Sequence, residues 1–432
     1  MQVLRYTLLV VLTASFFSCE KALPPTDPDP VYEILANNEF FDIQARYALF
    51  LSDNTGKTVA FRWLKGEDTT LVQVPNSTPD EFYDCTILKI STLEAPGTGI
   101  KDTTLTLTTY TQLPSGRQIN LRDLFFQQVS TLKFTLSGFT TLDSIVVSDG
   151  LTLSRPQASN GYYGEYLVYN TDQCWLRVLV DGETFWRYQT FSNIGTSPNA
   201  GTLNAAQMLS NFSPSLPLNF PFLTTWDFKL DGVVDTARRK FFPLSSPIIP
   251  PGGAIPVINT VRIFEPVNND LFNPNRPYIN LFRLQTKGPL GTAGGYEYSS
   301  DQFYTSVPTA LSEPNFDLEE TILTNNRDVA VRYTGNFDVL VFTRFRSVTP
   351  KINWEVLLKP QSGTVLYQLP DVPMELGNLY PALRNYDFGQ EVSARAENYE
   401  RLNYDQVLYR RLLNADPLWQ AKGGYLGREE RY

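Results

Sequence analysis

Short runs of alternating apolar and polar residues, separated by turn-forming residues, recur along most of this chain and constrain its fold more than any other feature. Residues 45–51 (ARYALFL) and 58–64 (TVAFRWL) alternate in this way, and the segment between them contains Asp53 and Gly56. Because successive side chains of a strand point to opposite faces of a sheet, a period of two is typical of strands, and the intervening segment predicts a hairpin turn. The sequence therefore predicts an all-β fold built from antiparallel strands.

The length and the spacing of the turns divide the chain into serial domains. At roughly 100 to 200 residues per domain, 432 residues allow two to four domains. Repeated short strands with regular turns favour immunoglobulin-like β-sandwiches, and a stretch with five prolines and two glycines (PLSSPIIPPGGAIP) predicts a linker. The predicted division is a signal peptide (1–18), a lipidated cysteine with a Pro/Asp-rich tether (19–30), two β-sandwich domains (31–127 and 128–242), the linker (243–256), a β-rich domain (257–393) and a C-terminal helix with a tail (394–432).

A short helix is predicted near the C-terminus, over residues 394–413, where good helix formers are frequent. The pattern that favours it combines apolar residues on one helical face with an N-cap and its N3 partner. The apolar residues are Tyr404, Val407, Leu408 and Leu412, and the capping pair is Asn403 and Gln406. Such a helix either packs on the third domain or docks onto a partner protein.

The charge balance and the absence of histidine exclude several classes of function. The chain has 36 Lys and Arg, 45 Asp and Glu and no histidine, which gives a formal net charge of -9. An acidic chain lacks the clustered positive charge that phosphates attract, so no nucleic acid partner is expected. Catalytic triads with histidine, histidine-ligated zinc and axial haem ligation all require an imidazole and are excluded.

No catalytic residue, metal site or cofactor is predicted. The sequence contains no nucleotide-binding loop, nucleophile elbow, CxxC motif or EF-hand loop. Acidic turns are better explained by the turn preference of Asp and Asn than by calcium binding. Glycoside hydrolysis needs only two suitably separated carboxylates, and the candidates do not stand out from other acids: Glu265, Asp270, Glu297 and Asp301. We therefore expect a protein that is not an enzyme.

The N-terminus has the pattern of a bacterial export signal. Arg5 precedes an apolar run over residues 6–17, which is too short to cross a bilayer as a stable helix. The run ends in Phe-Phe-Ser followed by Cys19, which resembles the lipobox of bacterial lipoproteins, although two phenylalanines stand where Leu and a small residue are commoner. The resemblance implies lipidation of Cys19 and a Gram-negative outer-membrane location with the membrane face undetermined. Residues 20–30 (EKALPPTDPDP) are typical of an extended tether.

Two cysteines remain after Cys19, at positions 85 and 174. An exported protein reaches an oxidising compartment, where Cys85 and Cys174 are allowed to form a disulfide. Both lie in apolar, strand-like runs, however, and buried free cysteines are common in such positions. Both interpretations remain open, and they predict different numbers of free thiols.

Aromatic residues are the most suggestive candidates for ligand contact. The chain has 6 Trp, 23 Tyr and 28 Phe, and aromatic rings on an exposed sheet face stack on the apolar faces of sugars. Strand cores are also rich in aromatic residues, so packing is the alternative explanation. The densest group of candidate ligand-binding aromatics is Tyr162, Tyr163, Tyr166, Trp175 and Trp186. The other tryptophans, Trp63, Trp226, Trp354 and Trp419, are expected in cores or interfaces.

Three functions agree with these patterns. The layout of lipid anchor, spacer and serial β domains is similar to that of the accessory glycan-binding lipoproteins of polysaccharide-uptake systems, which implies a non-enzymatic protein that binds a glycan. A structural, adhesin or pilus-type subunit is the alternative, and resemblance to pilus lipoproteins implies maturation by cleavage after an arginine such as Arg46. An accessory subunit docked to an outer-membrane protein through the 394–413 helix is the third. We expect the first.

Overall fold

The computed structural model describes most of the chain from residue 31 onward. The described residues are 31–66, 69–75, 78, 80–94, 97, 99, 101–121, 130–139, 141–149, 153–154, 163–168, 173–180, 186–192, 199–208, 216–217, 227–235, 240–244, 260–261, 281–289, 296–306, 314–323, 325–361, 363–389, 392–399, 402–413 and 425–431. The predicted signal peptide, Cys19 and the tether lie outside them, as does most of the predicted linker.

Strands make up most of the described chain, so the predicted all-β class is confirmed. In chain order the strands are β1 (Val31–Ala36), β2 (Ala45–Ser52), β3 (Thr58–Leu64), β4 (Thr69–Gln73), β5 (Phe82–Glu94), β6 (Lys101–Pro114), β7 (Gln118–Leu121), β8 (Ser130–Ser137), β9 (Leu142–Ser148), β10 (Leu153–Ser154), β11 (Tyr163–Val168), β12 (Gln173–Val180), β13 (Trp186–Ser192), β14 (Asn199–Asn204), β15 (Leu216–Pro217), β16 (Asp227–Asp235), β17 (Lys240–Pro243), β18 (Thr260–Val261), β19 (Phe282–Pro289), β20 (Tyr296–Tyr304), β21 (Asp317–Leu323), β22 (Asp328–Thr334), β23 (Val339–Arg346), β24 (Lys351–Leu358), β25 (Thr364–Gln368), β26 (Val392–Tyr399) and β27 (Tyr425–Arg431).

The helices are short. They are α1 (Met374–Leu379), α2 (Pro381–Arg384) and α3 (Tyr404–Leu408), with a π-helical turn at Tyr409–Leu413 and 3-10 turns at Asn38–Phe40 and Ala205–Gln207. Among the residues described, no helix has the length and apolar character needed to cross a bilayer.

One twelve-stranded sheet joins segments that the sequence assigns to different domains. Its strand order is β17-β16-β19-β20-β27-β26-β23-β24-β6-β5-β2-β3. The junction is a parallel pair, β6 with β24, in which Thr104 is opposite Lys351 and Tyr110 is opposite Leu357. The structure thus differs from the predicted division, because strands from 31–127, 128–242 and 257–393 share this sheet. Alternation within each strand carries no information on which distant strand it pairs with.

The central part of this sheet is buried on both faces. Along β2, Ala48 and Phe50 contribute to one core, while Leu49 and Leu51 contribute to another. Strand β23 is also buried on both faces: Phe342 contributes to the first core and Val341 to the second. Strands buried on both faces are almost continuously apolar. Residues 47–51 of β2 (YALFL) are of this kind, so the alternation predicted for this strand does not extend through its buried part.

Two further layers cover these faces. The sheet β21-β22-β25, together with α1 and α2, packs on one side around Trp354, the largest fully buried side chain of the described residues. The sheet β4-β1-β7, together with α3, packs on the other side and contributes Tyr32 and Ile34 from β1. The arrangement is therefore a three-layered β-sandwich in which the middle sheet is shared.

A separate two-sheet sandwich is formed within residues 130–204. The sheet β10-β9-β12-β13 and the sheet β11-β8-β14 share one core, in which Phe134 and Tyr166 meet Ile145 and Leu176. This agrees with the predicted sandwich in this part of the chain. The last strands of the predicted domain differ, since β16 and β17 join the twelve-stranded sheet instead.

The helix predicted over residues 394–413 is present from Tyr404, but the first residues of that range form a strand. Residues 394–399 belong to strand β26, which pairs with β23 and β27. The helix α3 begins at Tyr404, after an N-cap Asn403 whose capping box with Gln406 is complete. The predicted apolar face is buried in the core beside β1, through Tyr404, Val407, Leu408 and Leu412. The face that was considered for partner docking therefore packs internally.

Cys85 and Cys174 are both free and buried. Cys85 on β5 belongs to the core beneath the β4-β1-β7 layer, whereas Cys174 on β12 belongs to the separate sandwich. Burial raises the pKa of both thiols above the usual value, so each stays protonated and poorly reactive. Of the two interpretations left open by the sequence, the structure agrees with buried free thiols.

Candidate functional site

Two of the five aromatic residues singled out in the sequence are buried. Tyr166 is 9% exposed and lies in the core between the two sheets of the sandwich. Trp175 is 2% exposed, on the face of β12 opposite Cys174. Tyr163 and Trp186 lie in β11 and β13, and Tyr162 lies outside the described residues. Burial of Tyr166 and Trp175 leaves no ring face for a sugar, so this prediction is wrong for both residues.

An accessible aromatic cluster lies instead at one edge of the twelve-stranded sheet. We call it the Trp63 cluster, and it consists of Arg46, Phe61, Trp63 and Glu375. The indole Nε1 of Trp63 donates a hydrogen bond to Oε1 of Glu375 at 2.6 Å. The Arg46 guanidinium carbon lies 4.2 Å from the centroid of the Trp63 ring, and Phe61 meets that ring edge-on at 5.5 Å.

Strand pairing explains why these side chains meet. Trp63 on β3 is opposite Ala48 on β2, so Arg46, two residues before Ala48, is diagonal to Trp63 on the same face of the sheet. Glu375 lies in the first turn of α1, which packs on that face. Since β3 is the last strand of the sheet and Trp63 is only partly buried, the cluster lies at the rim of the core.

The chemistry of the Trp63 cluster suits a neutral, hydroxyl-rich ligand. An aromatic ring offers a flat apolar face, the carboxylate accepts hydrogen bonds, and the guanidinium donates them. The two charges offset one another, and Arg46 adds a cation–π contact to the ring. Sequence reasoning placed Trp63 in a core or interface. The local sequence does show two aromatic rings, Phe61 and Trp63, on either side of the exposed Arg62. It does not show that β3 is an edge strand, because that depends on the tertiary structure.

The acidic candidates are held by cations. Asp301 on β20 accepts two hydrogen bonds from Arg283 on β19, at 2.8 and 2.6 Å, and Glu297 pairs with Lys287 at 2.5 Å. Carboxylates fixed in this way by cations on the neighbouring strand have the arrangement of structural ion pairs. Glu265 and Asp270 lie outside the described residues. Within the described part of the chain, no group of three acidic or cysteine side chains is placed to hold a metal ion.

A second polar feature connects two layers beneath the surface. Tyr367 on β25 donates its hydroxyl to Oδ2 of Asp84 on β5 at 2.7 Å, and the backbone N–H of Gln112 donates to Oδ1 at 3.0 Å. Burial raises the pKa of Asp84 to about 6, and the two hydrogen bonds offset only part of that effect. Asp84 therefore changes charge near neutral pH inside the sandwich.

Asp84→Asn is expected to stabilise the protein at neutral pH. The folded-state pKa is about 6 and the unfolded value is about 4, so the stabilisation by protonated Asp84 is complete below the unfolded pKa and is lost as the pH rises through about 6. The variant should gain roughly 2 to 3 kcal/mol at pH 7. Urea unfolding from pH 4 to 8 measures this. Asp102→Asn is the control, because exposed Asp102 has a lowered pKa; an equal gain in both variants would contradict the assignment.

Comparison with known proteins gives no family for this chain. No protein-family model matches the sequence, and no curated protein matches it. Among solved structures, the Bacillus anthracis TIE protein matches 82% of this chain at 8% sequence identity and a TM-score of 0.14. The match covers 63% of that protein's length. A TM-score this low supports no conclusion about fold or function.

Proposed function

We propose that this protein is a non-enzymatic, lipid-anchored protein of the bacterial envelope that binds a glycan at the Trp63 cluster. The observation that supports this most is the partly exposed indole of Trp63 between a guanidinium and a carboxylate. Those groups belong to Arg46 and Glu375, at 4.2 Å from the ring centroid and 2.6 Å from the indole nitrogen. A ring with one donor group and one acceptor group beside it matches the apolar face and hydroxyls of a sugar.

The anchor part of the proposal rests on the N-terminal sequence. Cys19 follows an apolar export signal, and the Pro-rich tether ends where β1 begins at Val31. A lipid on Cys19 would hold the folded layers close to the outer membrane, with the tether as spacer. Labelling of cells with a radioactive fatty acid should mark the wild-type protein and leave Cys19→Ala unmarked; equal labelling of both would refute the anchor.

Two observations weigh against the alternative functions. Arg46, the proposed cleavage point of a pilus-type subunit, is paired with Ile90 in the β2–β5 ladder, and proteases require an extended chain that is free of such pairing. Cleavage there would also release β1, which supplies Tyr32 and Ile34 to a core. The helix α3, considered for docking to a membrane complex, directs its apolar residues into the same core.

Trp63→Ala is expected to weaken glycan binding strongly while leaving the protein folded. Loss of a ring at the centre of a binding site costs about 2 kcal/mol, or roughly thirtyfold in Kd. The full-length protein in detergent would be screened against a panel of polysaccharides by affinity gel electrophoresis, followed by calorimetry on any that retard it. The matched control is Phe82→Ala, which removes an exposed aromatic ring from β5 outside the cluster.

Either of two results would refute the glycan proposal. The first is the absence of retardation by every polysaccharide in the panel. The second is a glycan whose affinity falls equally in Trp63→Ala and Phe82→Ala, because the effect would then not depend on the Trp63 cluster.

A further inference from the structure

The edge strand β25 exposes a large apolar side chain. It pairs with β22 on one side, and among the strands that the structure describes none pairs with its other side. Leu366 in its middle is 74% exposed, and Thr364 and Gln368 at its ends are exposed as well. An added Cβ at Gly363, just before the strand, would meet no atom within 4 Å. The outer side of β25 is therefore accessible to a further strand.

The hydrogen bonds at the two ends of β25 fix which of its backbone groups point outward. At one end, the Tyr333 N–H donates to the Gly363 carbonyl oxygen at 3.1 Å. At the other end, the Leu369 N–H donates to the Arg327 carbonyl oxygen at 3.0 Å. Bonds at these positions place every second residue of β25 in a non-hydrogen-bonded pair with β22, so the N–H and C=O groups of those residues point away from β22. These residues are Thr364, Leu366 and Gln368.

An apolar row crosses the outward face of the sheet β21-β22-β25. Ile322 is opposite Ala330, and Ala330 is opposite Leu366, so the three side chains lie side by side. The other face of the sheet carries Val331 and Val365, which pack in the core. A solvent-facing side of an antiparallel sheet is usually polar. The row ends at Leu366, where a further strand with an apolar residue would cover it.

Other edge strands contain the groups that usually prevent pairing between chains. On β3, Arg62 Nη1 donates to the carbonyl oxygen of Phe61 at 2.8 Å and so covers that backbone group. Strand β21 contains three acidic residues, and β17 contains a lysine and ends in Pro243. Strand β25 (TVLYQ) contains no charge and no proline. Strand β4 (TTLVQ) is also uncharged, but its exposed Leu71 is opposite Glu33, so no apolar row leads to it.

We propose that β25 pairs with β25 of a second copy of this chain, in an antiparallel two-fold arrangement centred on Leu366. Leu366 is then opposite Leu366 of the second copy, and Thr364 is opposite Gln368 of the second copy. The outward N–H and C=O groups of these residues satisfy one another, as in strand addition to a sheet edge. No like charges are opposed, and the two apolar rows become one. A two-fold pair is closed, so it gives a dimer, not a filament.

The proposal goes beyond glycan binding and does not depend on it. Disulfide trapping is the suitable test, because a pairing through five residues of each copy is smaller than the roughly 1,200 Å² of a stable interface, and a covalent bond accumulates even from a weak dimer. Opposite residues in a hydrogen-bonded pair have Cα atoms about 5.5 Å apart, which is within the range of a disulfide.

Full-length Leu366→Cys in detergent should form a covalent dimer under mild oxidation. We expect its rate to be at least about tenfold higher than that of Leu93→Cys, which replaces a leucine that is 64% exposed near the end of β5. Wild type measures the background from Cys19. Equal rates in Leu366→Cys and Leu93→Cys would show random collision and overturn the proposal.

The register is tested by Thr364→Cys and Gln368→Cys. Each variant alone should cross-link slowly, because the two-fold arrangement separates identical residues at these positions by about 13 Å along the strands. An equimolar mixture should cross-link much faster than either variant alone, since Thr364 of one copy is opposite Gln368 of the other. A mixture that is no faster than its components would contradict the two-fold pairing.

A charge exchange at position 366 within this mixture gives an independent readout. Leu366→Lys in both components places like charges opposite each other and should slow cross-linking at least about threefold. Leu366→Lys in one component and Leu366→Glu in the other should recover most of the rate. Leu71→Lys in both components is the control and should have no effect. No slowing with the two Leu366→Lys components, or equal slowing with Leu71→Lys, would overturn the proposal. Each variant should keep the wild-type Tm, because Leu366 and Leu71 are exposed.

Discussion

Glu397→Gln is expected to lower the free energy of unfolding by about 3 to 5 kcal/mol, because it leaves two arginines without their shared carboxylate. Glu397 on β26 is 1% exposed. It accepts hydrogen bonds from Arg395 Nε at 2.7 Å and from the Tyr399 hydroxyl at 2.8 Å, and it pairs with Arg411 at 3.5 Å. Arg411 belongs to the π-helical turn after α3, so the carboxylate also attaches the C-terminal segment to the sheet.

Glu397 also makes the free energy of unfolding depend on pH in the acid range. Burial acts to raise the pKa of Glu397, but Arg395, Arg411 and the Tyr399 hydroxyl outweigh it, and the net pKa is lower than usual. Its stabilisation is therefore complete above the unfolded pKa, about 4, and is lost as the pH falls through the lower folded value. Guanidinium unfolding at pH 7 and along an acid series measures both effects, and Glu397→Gln should weaken the acid dependence.

The control for Glu397 is an ion pair at the surface. Lys359 and Asp405 are 3.0 Å apart, and both side chains are largely exposed. Exposed pairs contribute about 0 to 1 kcal/mol, so Asp405→Asn should have little effect. A loss in Glu397→Gln no larger than that in Asp405→Asn would show that the buried network does not contribute as argued.

Trp354→Ala should destabilise the protein by about 3 to 5 kcal/mol through the cavity that it creates. Trp354 is the largest fully buried side chain among the described residues and contacts Phe50 and Phe388 edge-on, at 6.5 and 6.1 Å. Its Nε1 also donates a hydrogen bond to Thr109 Oγ1 at 2.9 Å. The variant therefore loses packing between the middle sheet and the layer that carries Tyr386 and Phe388.

Two comparisons separate the contributions of Trp354. Trp354→Phe keeps most of the ring and should cost less than the alanine variant, because the remaining cavity is smaller. Trp63→Ala at the rim should lower the free energy of unfolding by less than either Trp354 variant, because part of the Trp63 ring is already exposed to water. Urea unfolding of the three variants gives the order. Equal losses in Trp354→Ala and Trp63→Ala would contradict the central position of Trp354 in the core.

Several local features were predictable from neighbouring residues. The hairpin of β2 and β3 forms as expected, and the Asp53 side chain accepts hydrogen bonds from the Thr55 and Lys57 backbone N–H groups, while Gly56 has φ of 77°. The capping box of Asn403 and Gln406 also forms as expected. Both features depend on contacts within a few residues, where side-chain chemistry acts directly on the backbone.

Other predictions were wrong because distant residues decide the conformation. Residues 394–399 are good helix formers, yet they complete a sheet between β23 and β27, where Ala394 and Ala396 fill the core. Here, long-range pairing and burial outweigh local propensity.

The candidate sites also combine features that the sequence shows with features that depend on distant residues. The sequence indicated that aromatic residues carry the best ligand chemistry, but their density along the chain pointed to Tyr166 and Trp175, which are buried. The Trp63 cluster joins residues of β2 and β3 to Glu375 of α1, which is 312 positions from Trp63 in the sequence.

The sequence by itself determined the all-β class, the hairpin and capping geometry and the absence of histidine chemistry. The export signal and the lipid anchor remain predictions from the N-terminal residues. Each depends on composition or on residues close together in the chain. Only the tertiary structure decided that one sheet carries two cores, that Cys85 and Cys174 lie in separate cores, and that Trp63 meets Glu375 of α1 at the edge of the sheet. The physical reason is that strand pairing and burial depend on contacts between distant segments, which an alternating pattern allows in many arrangements.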